Sequence, residues 1–90
     1  MAAQTINLTE MPPVPGLDGT ALGDYWFSLI DQDEAAKYQG HTARKLELDR
    51  HRGGGPEYIE ISSRCVRYRR IDLWRFNEAR RRANTAHKAA

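Results

Sequence analysis

Arginine recurs at positions 64, 67, 69 and 70 in the stretch SSRCVRYRR, interleaved with Val66 and Tyr68. A guanidinium makes forked hydrogen bonds to phosphate oxygens or to the O6/N7 edge of guanine, so a ribbon of this kind is suited to holding a nucleic acid. Strand alternation places Val66 and Tyr68 on one side and Arg67 and Arg69 on the other. Charge along the chain sharpens the point. Residues 1–40 hold Lys37 against six carboxylates, a net of −5, while residues 41–90 hold 13 Lys or Arg against six, a net of +7, and the chain as a whole comes to only +2. Charge alone leaves a second possibility open, a basic face that meets only solvent.

Other chemistry finds little footing. His41, His51 and His87 have neither the spacing of a helical metal site nor a Ser or Cys partner in a nucleophile motif. Cys65 is the single cysteine, which excludes an internal disulfide and a multi-cysteine zinc site and fits a reducing compartment. The glycines of RGGGPEY are followed by Pro56 rather than by the Lys and Ser or Thr of a phosphate-binding loop. The expectation is a protein with no catalytic residue, no metal and no cofactor. No stretch has the length and apolarity of a membrane span, and the N-terminus has no basic head followed by an apolar block. A cytoplasmic protein with no membrane partner is expected.

The elements that must position the arginines follow from local signals, and 90 residues leave room for one modest core. Residues 1–22 carry three of the four prolines and no sustained period, so a flexible N-terminal tail is expected there. In GDYWFSLI, an aromatic and aliphatic cluster predicts a short strand or extended lead-in covering the core. Asp31, with Glu34 three residues on, predicts a capped helix through QDEAAKYQ that stops at Gly40. Thr42 predicts the cap of a second helix through ARKLELDRH, mostly exposed, with Leu46 and Leu48 its only large apolar residues. Small Ala36 four residues before Gly40 fits two helices crossing closely over a glycine turn, as in a helix-turn-helix. Beyond the RGGGPEY loop, alternation predicts a two-stranded hairpin turning at Ser62, Ser63 and Arg64. One face is expected to pack Ile59, Ile61, Val66 and Tyr68 on the core, and the other to present Arg67 and Arg69, with Glu60 opposite them. A last helix over 72–82 is expected to turn Leu73, Phe76 and Ala79 inward, and residues 83–90 form a flexible C-terminal tail.

This order of elements resembles the MerR-like winged helix-turn-helix family of phage and integrative-element excisionases and AlpA-like regulators. The resemblance covers residues 29–81 and rests on LIDQDEAAKYQG, which is similar to the family's opening helix and turn, and on GPEYIEISSRCVRYRRIDL, which is similar to its wing and the start of its last helix. Gln39, His41, Asp49, the Ser62–Ser63 pair and Ile71 depart from the family's usual residues. The implied fold is α+β, a small winged helix-turn-helix of three helices with a two-stranded β-hairpin wing, occupying residues 23–82. The implied partner is double-stranded DNA, with the second helix in the major groove and the hairpin along a neighbouring minor groove.

On that footing Thr42, Ala43, Arg44 and Lys45 lie nearest the base edges, and Arg50 lies further along the same helix. Arg44 is the candidate for a forked contact to guanine or, equally, for a phosphate contact. Ser63 and Arg64 stand at the wing tip, where Arg64 enters a narrow minor groove; Arg67 and Arg69 hold phosphates, and Arg70 packs internally. About five phosphate contacts imply binding that weakens steeply with salt. Two functions stay open. One is an excisionase, or recombination directionality factor, that bends DNA beside an attachment site, assisted by neighbouring copies of itself and serving a tyrosine recombinase (integrase). The other is an AlpA/MerR-like transcriptional regulator at a promoter. The absence of the coiled coil that MerR-type activators append favours the first, and nucleoid association follows from either. A protein-binding module whose wing meets an acidic partner is a third class.

Overall fold

The computed structural model describes residues 11–83; the tail expectations for 1–10 and 84–90 lie outside them. The order is α1 (Gly19–Phe27), β1 (Leu29–Ile30), α2 (Gln32–Gln39), α3 (Ala43–Arg52), β2 (Ile59–Ser62), β3 (Cys65–Arg69) and α4 (Arg70–Ala79). The strands form one antiparallel sheet in the order β1-β3-β2. This is an α+β fold in which the helix-turn-helix and hairpin wing are present, with four helices rather than three and a third strand. Among the described residues no helix is long and apolar enough to cross a membrane.

The helix-turn-helix forms as its caps dictate. Asp31 Oδ1 accepts from the Glu34 amide at 2.9 Å, and Thr42 Oγ1 accepts from the Lys45 amide at 3.1 Å, so each helix start has one of its orphan amides satisfied. Gly40 takes the left-handed conformation, φ 78°, that lets the chain reverse between α2 and α3. Ala35 and Ala36 are buried beside Leu46 of α3, Tyr68 of β3 and Leu73 of α4, with Ile30, Tyr38, Ala43 and Val66 packed around them. The small alanines let the two helices approach closely.

A second core cluster lies where a tail was expected. Met11, Trp26 and Ile71 are buried together, with Val14, Leu22, Tyr25, Phe27 and Trp74 around them. Residues 19–27 form helix α1 rather than an extended lead-in, and only Leu29 and Ile30 are strand, paired to Arg69 and Tyr68. The residues ahead of α1 turn back through a bridge between Val14 and Leu17, and the Pro12 carbonyl accepts from Trp26 Nε1 at 2.9 Å. Residues 11–22 therefore belong to the folded unit.

The hairpin differs from expectation by one residue of register. Ser62 faces Cys65 across the turn, but Glu60 then faces Val66 and Ile59 faces Arg67, with a bulge between Glu60 and Ser62. Each residue of β2 beyond the bulge is thereby moved to the opposite face. The face carrying Tyr68, Val66 and Ile30 meets the core; Glu60 stands in the same row but is exposed, toward the cleft between the hairpin and α3. The outer face carries Arg67, Arg69, Ile59 and Leu29. Ile61, expected in the core, is 54% exposed, and Leu29 is 49% exposed. Helix α4 also begins and ends earlier than expected. Ile71 and Leu73 are buried, Phe76 is only half-buried and Ala79 is exposed, so the inward side is its first turn rather than a stripe along its length.

Gly55 shows why the loop after α3 is glycine-rich. A Cβ there would stand 2.8 Å from the Asp49 Cβ, whereas Gly54 has open space around it. Gly55→Ala is expected to cost about 1–3 kcal/mol, as overpacking does, since the loop must lift off α3. Gly54→Ala should stay within about 0.5 kcal/mol. Urea melts of the pair check this, and equal midpoints would show that the loop shifts freely.

Candidate nucleic-acid interface

Helix α3 is held from beneath by Leu46 and leaves the side chains of Arg44 and Lys45 in solvent. Arg44 Nη1 lies 3.4 Å from Glu47 Oε1 one turn on, and Lys45 Nζ lies 2.8 Å and 3.0 Å from the two Asp49 oxygens. The hydrogen bond from Lys45 holds the Asp49 carboxyl below its ordinary pKa. Exposed helical pairs of this kind are worth a few tenths of a kcal/mol, so both cations can exchange partners readily. Thr42 is committed to its cap. Ala43 packs against the core, which gives it a structural place rather than one at a base edge.

Across from α3 stands the wing. Ser63 and Arg64 form its turn, both exposed. Between the two elements runs a cleft of about 400 Å³ whose walls include Glu47, Arg50 and His51 from α3 and Tyr58, Ser63 and Arg64 from the hairpin side. The structure thus brings Arg50, Ser63 and Arg64 to one cleft, with Arg44 at its margin through Glu47.

Three of the arginines are tied down within the fold. Arg50 Nη1 donates to Gln32 Oε1 at 2.7 Å and to the hydroxyl of buried Tyr68 at 3.1 Å, and its guanidinium sits 5.7 Å from the Tyr58 ring centre. It links α2, α3 and β3. Arg69 makes two hydrogen bonds to the buried Asp72 carboxylate, at 2.9 and 3.2 Å, and lies over Phe27. Arg70 donates to the Tyr25 carbonyl at 3.2 Å and stacks 4.6 Å from the Tyr25 ring centre, the internal role expected of it. Arg67 projects from the outer sheet face opposite Ile59, where Nη1 donates to the Val66 carbonyl. Arg67 and Arg69 therefore stand on the face turned away from the α3 cleft.

The sequence reading passed over Tyr58 and His51, which line the cleft. The spacing of His51 from Glu47 and Arg44, four and seven residues along one helix face, was a usable signal. Among the described residues no group of three or more His, Cys, Asp or Glu is placed to hold a metal ion. The fold and this cleft define a small α+β helix-turn-helix protein with a hairpin wing. No protein-family model matches the chain, and no curated protein matches it.

Proposed function

We propose that this protein binds double-stranded DNA with α3 in the major groove and the wing against the adjacent backbone, and that it serves as an excisionase for a tyrosine recombinase. The observation that carries the reading is that Arg44 and Lys45 are exposed on α3 and Arg64 is exposed at the wing turn, with a cleft between that turn and the Glu47, Arg50 and His51 face of α3. A duplex with α3 in its major groove presents base edges to the exposed face of α3 and a phosphate strand to the wing turn.

A DNase I footprint across the protein's own gene and the nearest attachment site, at moderate salt, tests this. Protection over several directly repeated, non-palindromic sites beside the attachment core, with phased hypersensitive bands, is the expected result. A single compact or two-fold symmetric footprint over a promoter would instead make the protein an AlpA/MerR-like regulator. Protection nowhere, with an acidic protein captured by the basic face, would leave the protein-binding module.

A further inference from the structure

Arg44, Glu47 and His51 are spaced three and four residues apart and so share one stripe of α3. Glu47 sits at its middle. Its Oε1 lies 3.4 Å from Arg44 Nη1 and its Oε2 lies 3.9 Å from His51 Nε2. The three side chains are 72%, 39% and 68% exposed, in that order, and Glu47 and His51 form part of the α3 wall of the cleft that faces the wing. The other acid of α3 is occupied differently, because Asp49 is held by Lys45 and lies under Gly55. Glu47 is therefore the one α3 carboxylate in the cleft, whose hairpin wall carries Glu60 of β2.

A carboxylate in that position repels phosphate and weakens binding to any duplex. The repulsion is offset only where an N–H group meets it. On the major-groove floor the base-edge donors are the exocyclic amino groups, N4 of cytosine and N6 of adenine, while the corresponding atoms of guanine and thymine are acceptors. An ionised carboxylate has acceptor capacity only, so it discriminates between the two sets by attraction on one side and repulsion on the other.

We infer that Glu47 is a specificity-determining residue that accepts a hydrogen bond from the exocyclic amino group of a cytosine or adenine, with Arg44 beside it on the same stripe reading or anchoring the neighbouring position. This rests on the DNA-binding reading above and deepens it. Glu47 lowers affinity for random duplex and raises it for one base type at one position.

The test is selection from a random duplex library with the wild-type protein and with Glu47→Ala and Glu47→Gln, each first shown by thermal melting to be folded. The wild type is expected to prefer an amino-bearing base at one position by about five- to 150-fold, the range of a good base contact. Replacing that base by 2-pyrimidinone, if it is cytosine, or by purine, if it is adenine, should reproduce the loss and tells the two apart. Glu47→Ala should lose that preference, keep the rest of the site, and bind unselected duplex more tightly. Glu47→Gln should tolerate guanine or thymine there, since an amide donates as well as accepts. Unchanged preference at every position in both variants overturns the inference and leaves the DNA-binding reading standing. A wild-type protein that selects no duplex removes that reading, and the assignment of Glu47 with it.

Discussion

Trp26→Ala is expected to lower the stability of the fold by about 3–5 kcal/mol, the usual result of emptying a large aromatic from a core. Trp26 is buried with Met11 and Ile71, meets Tyr25 and Trp74 edge to face at 5.0 and 6.2 Å, and donates its indole N–H to Pro12. Truncation removes the dispersion contacts of the ring and leaves the Pro12 carbonyl without its donor. A domain of this size has roughly 5–15 kcal/mol in total, so the variant should melt some 15 °C or more lower. The same logic applies to the residues ahead of α1. Deleting residues 1–17 should destabilise the protein by about 2–5 kcal/mol, because Met11 fills the cluster and the chain at Pro12 covers the indole. Thermal and urea melts measure both. A deletion that costs under about 1 kcal/mol would return these residues to the status of a tail.

Which parts of this structure were legible in the sequence depended on whether their signals were local. Asp31, Gly40 and Thr42 are cap and turn residues whose effect is complete within four positions, and α2, its turn and α3 came out as read. Helix α1 had no such marks. Asp18 makes no side-chain cap bond, and GTALGDYWF holds two glycines and three aromatics, all poor helix formers. What makes it helical is burial of Trp26, with Leu22 four residues before it, against Ile71 some forty-five positions later, a contact between segments far apart in sequence. The pairing Leu22, Tyr25, Trp26 at helical spacing was visible, but the prolines ahead of it spoke more loudly.

The hairpin teaches a related lesson. Alternation correctly located both strands and their turn, yet it cannot say which row of β2 shares a face with which row of β3. Without the bulge, Ile61 would face Val66 and Glu60 would face Arg67, as expected; the bulge shifts the pairing by one and puts Glu60 in the row of Val66 and Ile59 in the row of Arg67. The candidate site was legible to the same degree. Lys45, Arg44 and Arg64 needed only exposure and position. Arg50 and Arg69 read as surface cations because their partners, Gln32 and Tyr68 for one and Asp72 for the other, are set by tertiary packing and register.

The dependence of DNA affinity on salt should reveal which arginines touch the backbone. The about five phosphate contacts expected from the sequence imply a slope of log K against log salt near −4.5, and an affinity loss of about 500-fold between about 50 and 200 mM. The structure gives a smaller number. With Arg50 and Arg69 engaged internally and Arg67 on the outer sheet face, Arg44, Lys45 and Arg64 remain of the candidate contacts, exposed on α3 and at the wing turn, and three contacts predict a slope of about −2.7 and a loss of about 40-fold over the same range. Two variants separate contact from support. Arg64→Ala should reduce the slope by about one, because one released counterion is lost. Arg50→Met should weaken binding while leaving the slope unchanged, because it removes the tie between α3, α2 and β3 that sets the spacing of helix and wing, and it leaves the Tyr68 hydroxyl without that donor. Fluorescence anisotropy titrations of the three proteins across that salt range measure the slopes. A wild-type slope near −4.5 together with a shallower slope in Arg50→Met would mean that Arg50 leaves its internal partners to meet phosphate when DNA binds; a slope near zero would remove the backbone, and with it the DNA reading, from the function of this fold.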